Sequence, residues 1–118
     1  MAVTVVEEAG GTILTDGTLQ TIGAALNAAG MFFLRLDLSP LVAATTANVI
    51  EISESMAVRA SGTVRVMEGS PITYTGGLNP LVIETPHRSI PESVSLTYKI
   101  KRVAGADFTY TYSIIEVG

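Results

Sequence analysis

The chain has 118 residues, 47% of them hydrophobic and 15% charged, and its seven basic and eleven acidic side chains give a formal net charge of −4. Soluble domains usually carry roughly 25% charged residues, so this one is apolar and weakly charged, yet its length fits a single core and no apolar run reaches the roughly 18 residues of a membrane helix. Zero cysteines and one histidine exclude disulfides and thiolate chemistry and disfavour a zinc site, while the acidic balance disfavours nucleic acid as a partner.

The lead MAVTVVEEAGG has no basic n-region and carries Glu7 and Glu8 where a signal peptide is apolar, so no secretion signal is expected. Residues 1–11 read as an extended N-terminal arm ahead of a domain over 12–118. Thr12 to Gly30 admits two readings. Leu19, Ile22 and Leu26 stand at i, i+3 and i+7 among helix-forming alanines, whereas Thr12, Thr15, Thr18 and Thr21 favour extended structure and Gly17 and Gly23 interrupt a helix.

Period-two alternation, the signature of a half-buried strand, governs the rest. Phe32, Leu34, Leu36 and Leu38 share one face and Phe33, Arg35 and Asp37 the other, and Ser39-Pro40 ends the strand. Residues 41–48 read as a connection with one helical turn. Ile50 and Ile52 resume the alternation, which would carry Glu54 inward, so a bulge near Glu54 or Ser55 is expected to turn it out. Val64 and Val66 form a short strand closed by Glu68-Gly69-Ser70-Pro71, Ile72 to Thr75 another closed by Gly76-Gly77, and Leu81 to Thr85 a third. Prolines at 80, 86 and 91 make Pro80–Pro91 a long connection or an edge strand. Val94, Leu96, Tyr98 and Ile100 define an inward face, and so do Phe108, Tyr110, Tyr112 and Ile114. These last two strands read as a hairpin turned through Val103 to Asp107. About eight short antiparallel strands at this spacing predict an all-β fold, a single jelly-roll-like β-sandwich.

Little chemistry is legible. His87 lies between Pro86 and Arg88 with no paired nucleophile in view and reads as an exposed loop imidazole. Glu51, Glu54, Glu68, Glu84, Glu92 and Asp107 are dispersed, without a calcium-loop pattern. Asp37, before Ser39-Pro40, reads as a turn-fixing carboxylate. The basic cluster Lys99, Lys101 and Arg102 suits either a protein partner's acidic surface or a lysine-defended sheet edge. No phosphate-loop glycine pattern occurs. The aromatic stripe Phe108, Tyr110, Tyr112 reads as core rather than a sugar-stacking platform.

The segments AAGMFFLRLDLSPLV, VIEIS and SLTYKIKRVAGADFTYTYSIIEV, covering residues 30–52 and 94–116, resemble small all-β head proteins of tailed bacteriophages, the capsid decoration or cement proteins. The resemblance implies a structural virion protein on the outer capsid surface, assembled in the host cytoplasm, that binds the major capsid protein and secures the head against internal DNA pressure. It implies a homo-oligomer, most often a trimer, with no cofactor, catalytic residue, nucleic acid or membrane as partner. It also implies an extended terminus that clasps a neighbour by strand addition, a role the lead would fill. Partner contacts are expected at Val3, Val5, Val6, Phe33, Lys99, Lys101, Arg102 and Ile115. The competing readings are a carbohydrate-binding or adhesin-like β-sandwich and another virion component, such as a tail, head-fibre or head-completion protein. An enzyme ranks last.

Overall fold

The computed structural model describes residues 5–77 and 81–118. The outgoing half of the chain forms β1 (Val5–Leu14), β2 (Gln20–Thr21), β3 (Gly30–Asp37), a single helical turn α1 (Ser39–Val42) and β4 (Val49–Ala57). The returning half forms β5 (Val64–Val66), β6 (Ile72–Thr75), β7 (Val82–Glu84), β8 (Arg88–Ile90), β9 (Leu96–Ala104) and β10 (Thr109–Val117). Sheet A is ordered β1-β10-β3, with β7 and β8 end to end along the far side of β3. Sheet B is ordered β2-β9-β4, with β5 and β6 along β4. Every pairing is antiparallel.

The pairings nest. The first strand joins the last, the second joins the ninth, β3 joins β7 and β8, and β4 joins β5 and β6. A chain folded into one long hairpin and then wrapped into two facing sheets has this order, and it is the jelly roll. Two of its eight strand positions are each split in two. Glu68-Gly69-Ser70-Pro71 separates β5 from β6, with Gly69 at φ +86° in the left-handed region that favours glycine. Pro86, which has no amide hydrogen to give to β3, separates β7 from β8.

The alternating faces meet between the sheets. Phe32, Leu34, Leu36, Tyr110 and Ile114 come from sheet A and Ile50, Ile52, Leu96, Tyr98 and Ile100 from sheet B, all at most 4% exposed. Each such aliphatic side chain contributes about 1.5–3 kcal/mol relative to exposure.

Several expectations are revised. β9 and β10 do not form a hairpin. β9 pairs with β4 and β2, and β10 with β1 and β3. Turn residues at Val103 to Asp107 establish only that the chain reverses. Placing the two strands in opposite layers lets the Tyr98 and Tyr110 faces cover each other, which one sheet would not allow. Gly105, at φ +83°, makes the reversal against Asn48, whose Oδ1 accepts from the Ala106 amide at 2.8 Å. Residues 5–11 are also not a free arm. They belong to β1, which runs along β10 from Val5 opposite Val117 to Leu14 opposite Thr109, so the division expected after residue 11 falls inside a strand. Between Thr12 and Gly30 the chain is extended. Leu26 forms a bridge to Leu96, the Ile22 amide donates to the Tyr98 carbonyl at 2.8 Å, and Gly23 adopts φ +67°, outside helical geometry.

The bulge expected near Glu54 is absent. β4 keeps one register against β9 from Ile50 to Met56, and Glu54 points inward at 4% exposure. It is neutralised across the sandwich by Arg88 of β8, whose Nε and Nη2 donate to Oε2 and Oε1 at 3.1 Å each. The extra residue lies on the opposite sheet. Glu84 is opposite Arg35, but Arg88, four residues later, is opposite Phe32, only three residues back along β3. This one-residue slip at Pro86 turns Arg88 inward.

Arg88→Ala strands a buried carboxylate, and equilibrium denaturation should show a loss of about 3–5 kcal/mol. Glu54→Leu combined with Arg88→Leu should recover wild-type stability or exceed it. Burial, the largest cause for both, pushes the hydroxyls of Tyr98 and Tyr110 up to about 12. Because the folded values lie above the unfolded value near 10, the phenols' contribution to stability is complete below pH 10 and is lost as the pH rises toward 12. Tyrosine absorbance titration should therefore show the Tyr98 and Tyr110 phenols ionising late, with unfolding accompanying their release.

Candidate functional site

The outer face of sheet A is built by the residues that alternate away from the core. A register shift between Glu7 and Ala9 leaves Glu8 as an extra residue. Val5 and Glu7 therefore face outward before it, and Gly10, Thr12 and Leu14 after it. The neighbouring strands present Thr111, Ser113, Ile115 and Val117 from β10, and Met31, Phe33, Arg35 and Asp37 from β3. Phe33 and Ile115 form a cross-strand pair on this face. Both point outward as the alternation predicts, and at 4% and 5% exposed neither offers open apolar surface. The His87 ring lies on Phe33 at 4.4 Å between centroids and 14° between planes, and the Arg35 guanidinium carbon sits 5.8 Å from the same ring. His87 itself is exposed, as the sequence predicts, and its work is to cover a hydrophobic ring. Arg35 donates from Nε and Nη2 to Glu84 Oε2 at 3.0 and 2.9 Å. Both partners are about half exposed, so this ion pair orders the surface while adding roughly 0–1 kcal/mol.

Beside these residues lies a shallow depression of about 170 Å³, lined by Glu7, Arg35, Asp37, Val82, Thr111, Tyr112 and Ser113. Glu7 reaches it by lying along its own strand. Its Oε1 accepts from the Ser113 hydroxyl at 2.7 Å, and a Cβ on Gly10 would stand 2.1 Å from that oxygen, so the glycine keeps the site open for the carboxylate. Asp37 accepts from the Ser39 amide at 2.9 Å and also from the Ser39 hydroxyl. These two bonds, the hydroxyl first, hold its carboxyl below the usual value of 3.8. It fixes the turn into α1, as the sequence predicts, and also lines the depression. Among the described residues neither Glu7 nor Asp37 has a cationic partner.

The outer face of sheet B differs. Glu51, Ser53 and Ser55 of β4 stand opposite Lys101, Lys99 and Thr97 of β9. Lys99 and Lys101 share this face, half-buried and in no ion pair among the described residues. Arg102 does not join them. It alternates to the other side, where it pairs with Asp107 at 3.4 Å and donates to the Gly105 carbonyl at 3.3 Å. Val64 and Val66 on the edge strand β5 are exposed, as is Val58 just beyond β4, and Met56, Val66 and Met67 line a second shallow depression of about 310 Å³.

The candidate contact residues thus fall on separate surfaces. Val5 lies on the outer face of sheet A, Val6 alternates to the other side of β1 and Lys99 and Lys101 lie on sheet B. Val5 and Val6 are 61% and 52% exposed, and Val3 lies outside the described residues. Glu7, Arg35, Val82 and Ser113 were not singled out by sequence reasoning. Glu7 carried no signal once the lead was read as an arm, and the others converge only through pairing across four strands. Among the described residues no three His, Asp or Glu side chains converge as a metal site. No family model, curated protein or solved structure matches the chain.

Ser39→Ala removes the larger cause of the Asp37 shift. Carboxyl-resolved NMR titration should show the Asp37 midpoint moving up toward 3.8 with the other carboxylates unmoved.

Proposed function

We propose that this jelly roll is a structural virion protein, a capsid decoration or cement protein that binds the outer surface of the major capsid protein as a trimer and stabilises the head. The observation that carries the reading is the nested strand order, an architecture that recurs in capsid proteins and lectins. Because fold alone does not establish function, the surface matters as well. The outer faces and the free edge of the ten-residue β1 carry exposed apolar side chains such as Val5, Leu14, Val66 and Val82, as expected of a protein that works by contact. The resemblance of residues 30–52 and 94–116 to decoration proteins points the same way, and the net charge of −4 suits a protein outside the shell rather than one against packaged DNA.

The carbohydrate-binding reading has one observation in its favour, the sheet A depression where Glu7, Arg35, Asp37 and Ser113 converge. Against it, the ring that β3 carries on that face, Phe33, is already covered by His87, which leaves that face of the ring unavailable to stack a sugar.

Light scattering should return a mass near three times the chain's 12.3 kDa. Heads of the source particle prepared without this chain should bind it on sedimentation, and electron microscopy should then show added density where capsomers meet around three-fold positions. Heads that neither bind the purified protein nor contain it would sink the assignment.

A further inference from the structure

We infer that copies of this chain join edge to edge through β1, two of these strands pairing antiparallel about a two-fold axis at Gly10, so that sheet A of one copy continues into sheet A of the next. A two-fold contact closes on itself, so it joins single chains or trimers alike and stands apart from the decoration reading.

An open edge is the first ground. β1 is the outermost strand of sheet A, paired with β10 on one side and with nothing on the other among the described residues. Alternate residues of such a strand turn their N–H and C=O groups to the open side. Edges of this kind are commonly defended by lysine or proline, and Val5–Leu14 contains neither. What it carries against a partner strand is Glu7, Glu8 and the bulge at Glu8. Both its ends are apolar, with Val5 and Val6 at one and Leu14 at the other, all more than half exposed.

Register is the second ground. With the axis at Gly10, Val5 stands opposite Leu14 of the other copy, Val6 opposite Ile13, Glu7 opposite Thr12 and Ala9 opposite Gly11. The extra residue Glu8 is passed over once in each strand, so the two bulges offset each other. Every pair then shares a face. Val5, Glu7, Thr12 and Leu14 lie on the outer side, and Val6, Ala9, Gly11 and Ile13 on the side of the core. Apolar residues meet apolar residues at both ends of the pairing. Moving the axis to Ala9 or Gly11 keeps the faces in step but brings Val5 against Thr12 or Glu7 against Leu14, and shortens the overlap.

Glu7 limits the contact. Its carboxylate lies over Gly10 and accepts from Ser113 at 2.7 Å, so two copies bring two carboxylates toward one axis. The interface is also small, with ten residues a side against the roughly 20–30 of a standard one. Pairing therefore grows as concentration rises and as the Glu7 charges are screened or removed.

The full chain has no cysteine, so engineered disulfides can read the register. Val5→Cys with Leu14→Cys sets two thiols roughly 30 Å apart along one strand, beyond disulfide reach within a chain but opposite each other between copies. Mild oxidation should convert this double variant to a covalent dimer, with peptide mapping placing the bridges between positions 5 and 14. Val5→Cys or Leu14→Cys alone should stay largely uncrosslinked. Adding Glu7→Gln, whose amide oxygen still accepts from Ser113, should speed dimer formation several-fold, and added salt should speed it more with Glu7 present than with the amide. Val5→Lys with Leu14→Lys should abolish the rise of light-scattering mass with concentration that wild type shows. An equimolar mixture with Val5→Glu, Leu14→Glu chains should restore that rise, which separates lost pairing from lost folding. Bridges joining 5 to 5 or 14 to 14, a double variant that crosslinks no faster than the single ones, or a wild-type mass independent of concentration overturns the inference. The lysine variant should still sediment with heads, so the edge contact and the decoration reading fail in different assays.

Discussion

A carboxylate inside a hydrophobic sandwich must be met by a cation, and here Glu54 is met by Arg88 from the opposite sheet. Much of sheet A's outer surface follows from that requirement. To turn Arg88 inward, the strand position shared by β7 and β8 slips by one residue at Pro86. The slip leaves Glu84 outward, where it holds Arg35, and places His87 outward, where it covers Phe33. A buried pair of this kind adds little net stability over an apolar pair, because desolvation offsets most of the attraction. Its effect is registry. Only one alignment of the split strand on β3 neutralises Glu54, and in it Val82 and Glu84 face outward beside Asp37 and Arg35.

The sheet A surface is less open than the composition of the chain implies. Phe33 and Ile115 alternate outward but are buried, Phe33 with the His87 ring stacked on it, so part of the hydrophobic surplus is satisfied within the chain. What remains outside is concentrated at the free edges and ends of the strands, in Val5, Leu14, Val58, Val66 and Val82. Charge divides less cleanly, with Glu7 and Asp37 on the outer face of sheet A and Lys99, Lys101 and Glu51 on the outer face of sheet B.

The faces of the long strands were legible because alternation is a local property. The backbone pleat sends successive side chains to opposite sides whatever the partner strand is, so the inward runs Phe32–Leu38, Val94–Ile100 and Tyr110–Ile114 were readable directly. The Asp37 turn was legible for a similar reason, since its acceptor reaches a residue two positions on. Partnership was not legible. A reversal through Gly105 looks the same whether the flanking strands pair or part into two layers, and the lead around Glu7 looks the same as a free arm or as an edge strand.

By itself the sequence determined the class of fold, the inward faces and the absence of cysteine thiols, because each depends on residue identity and near spacing. The tertiary structure alone decided the nested pairing of first strand with last, the inward course of Glu54 and the gathering of Glu7, Arg35, Asp37 and Ser113. Those outcomes join residues as far apart in the chain as Val5 and Val117 and turn on a one-residue slip in register. A slip of one residue reverses which face of a strand is buried, and only the partner strands determine where it falls.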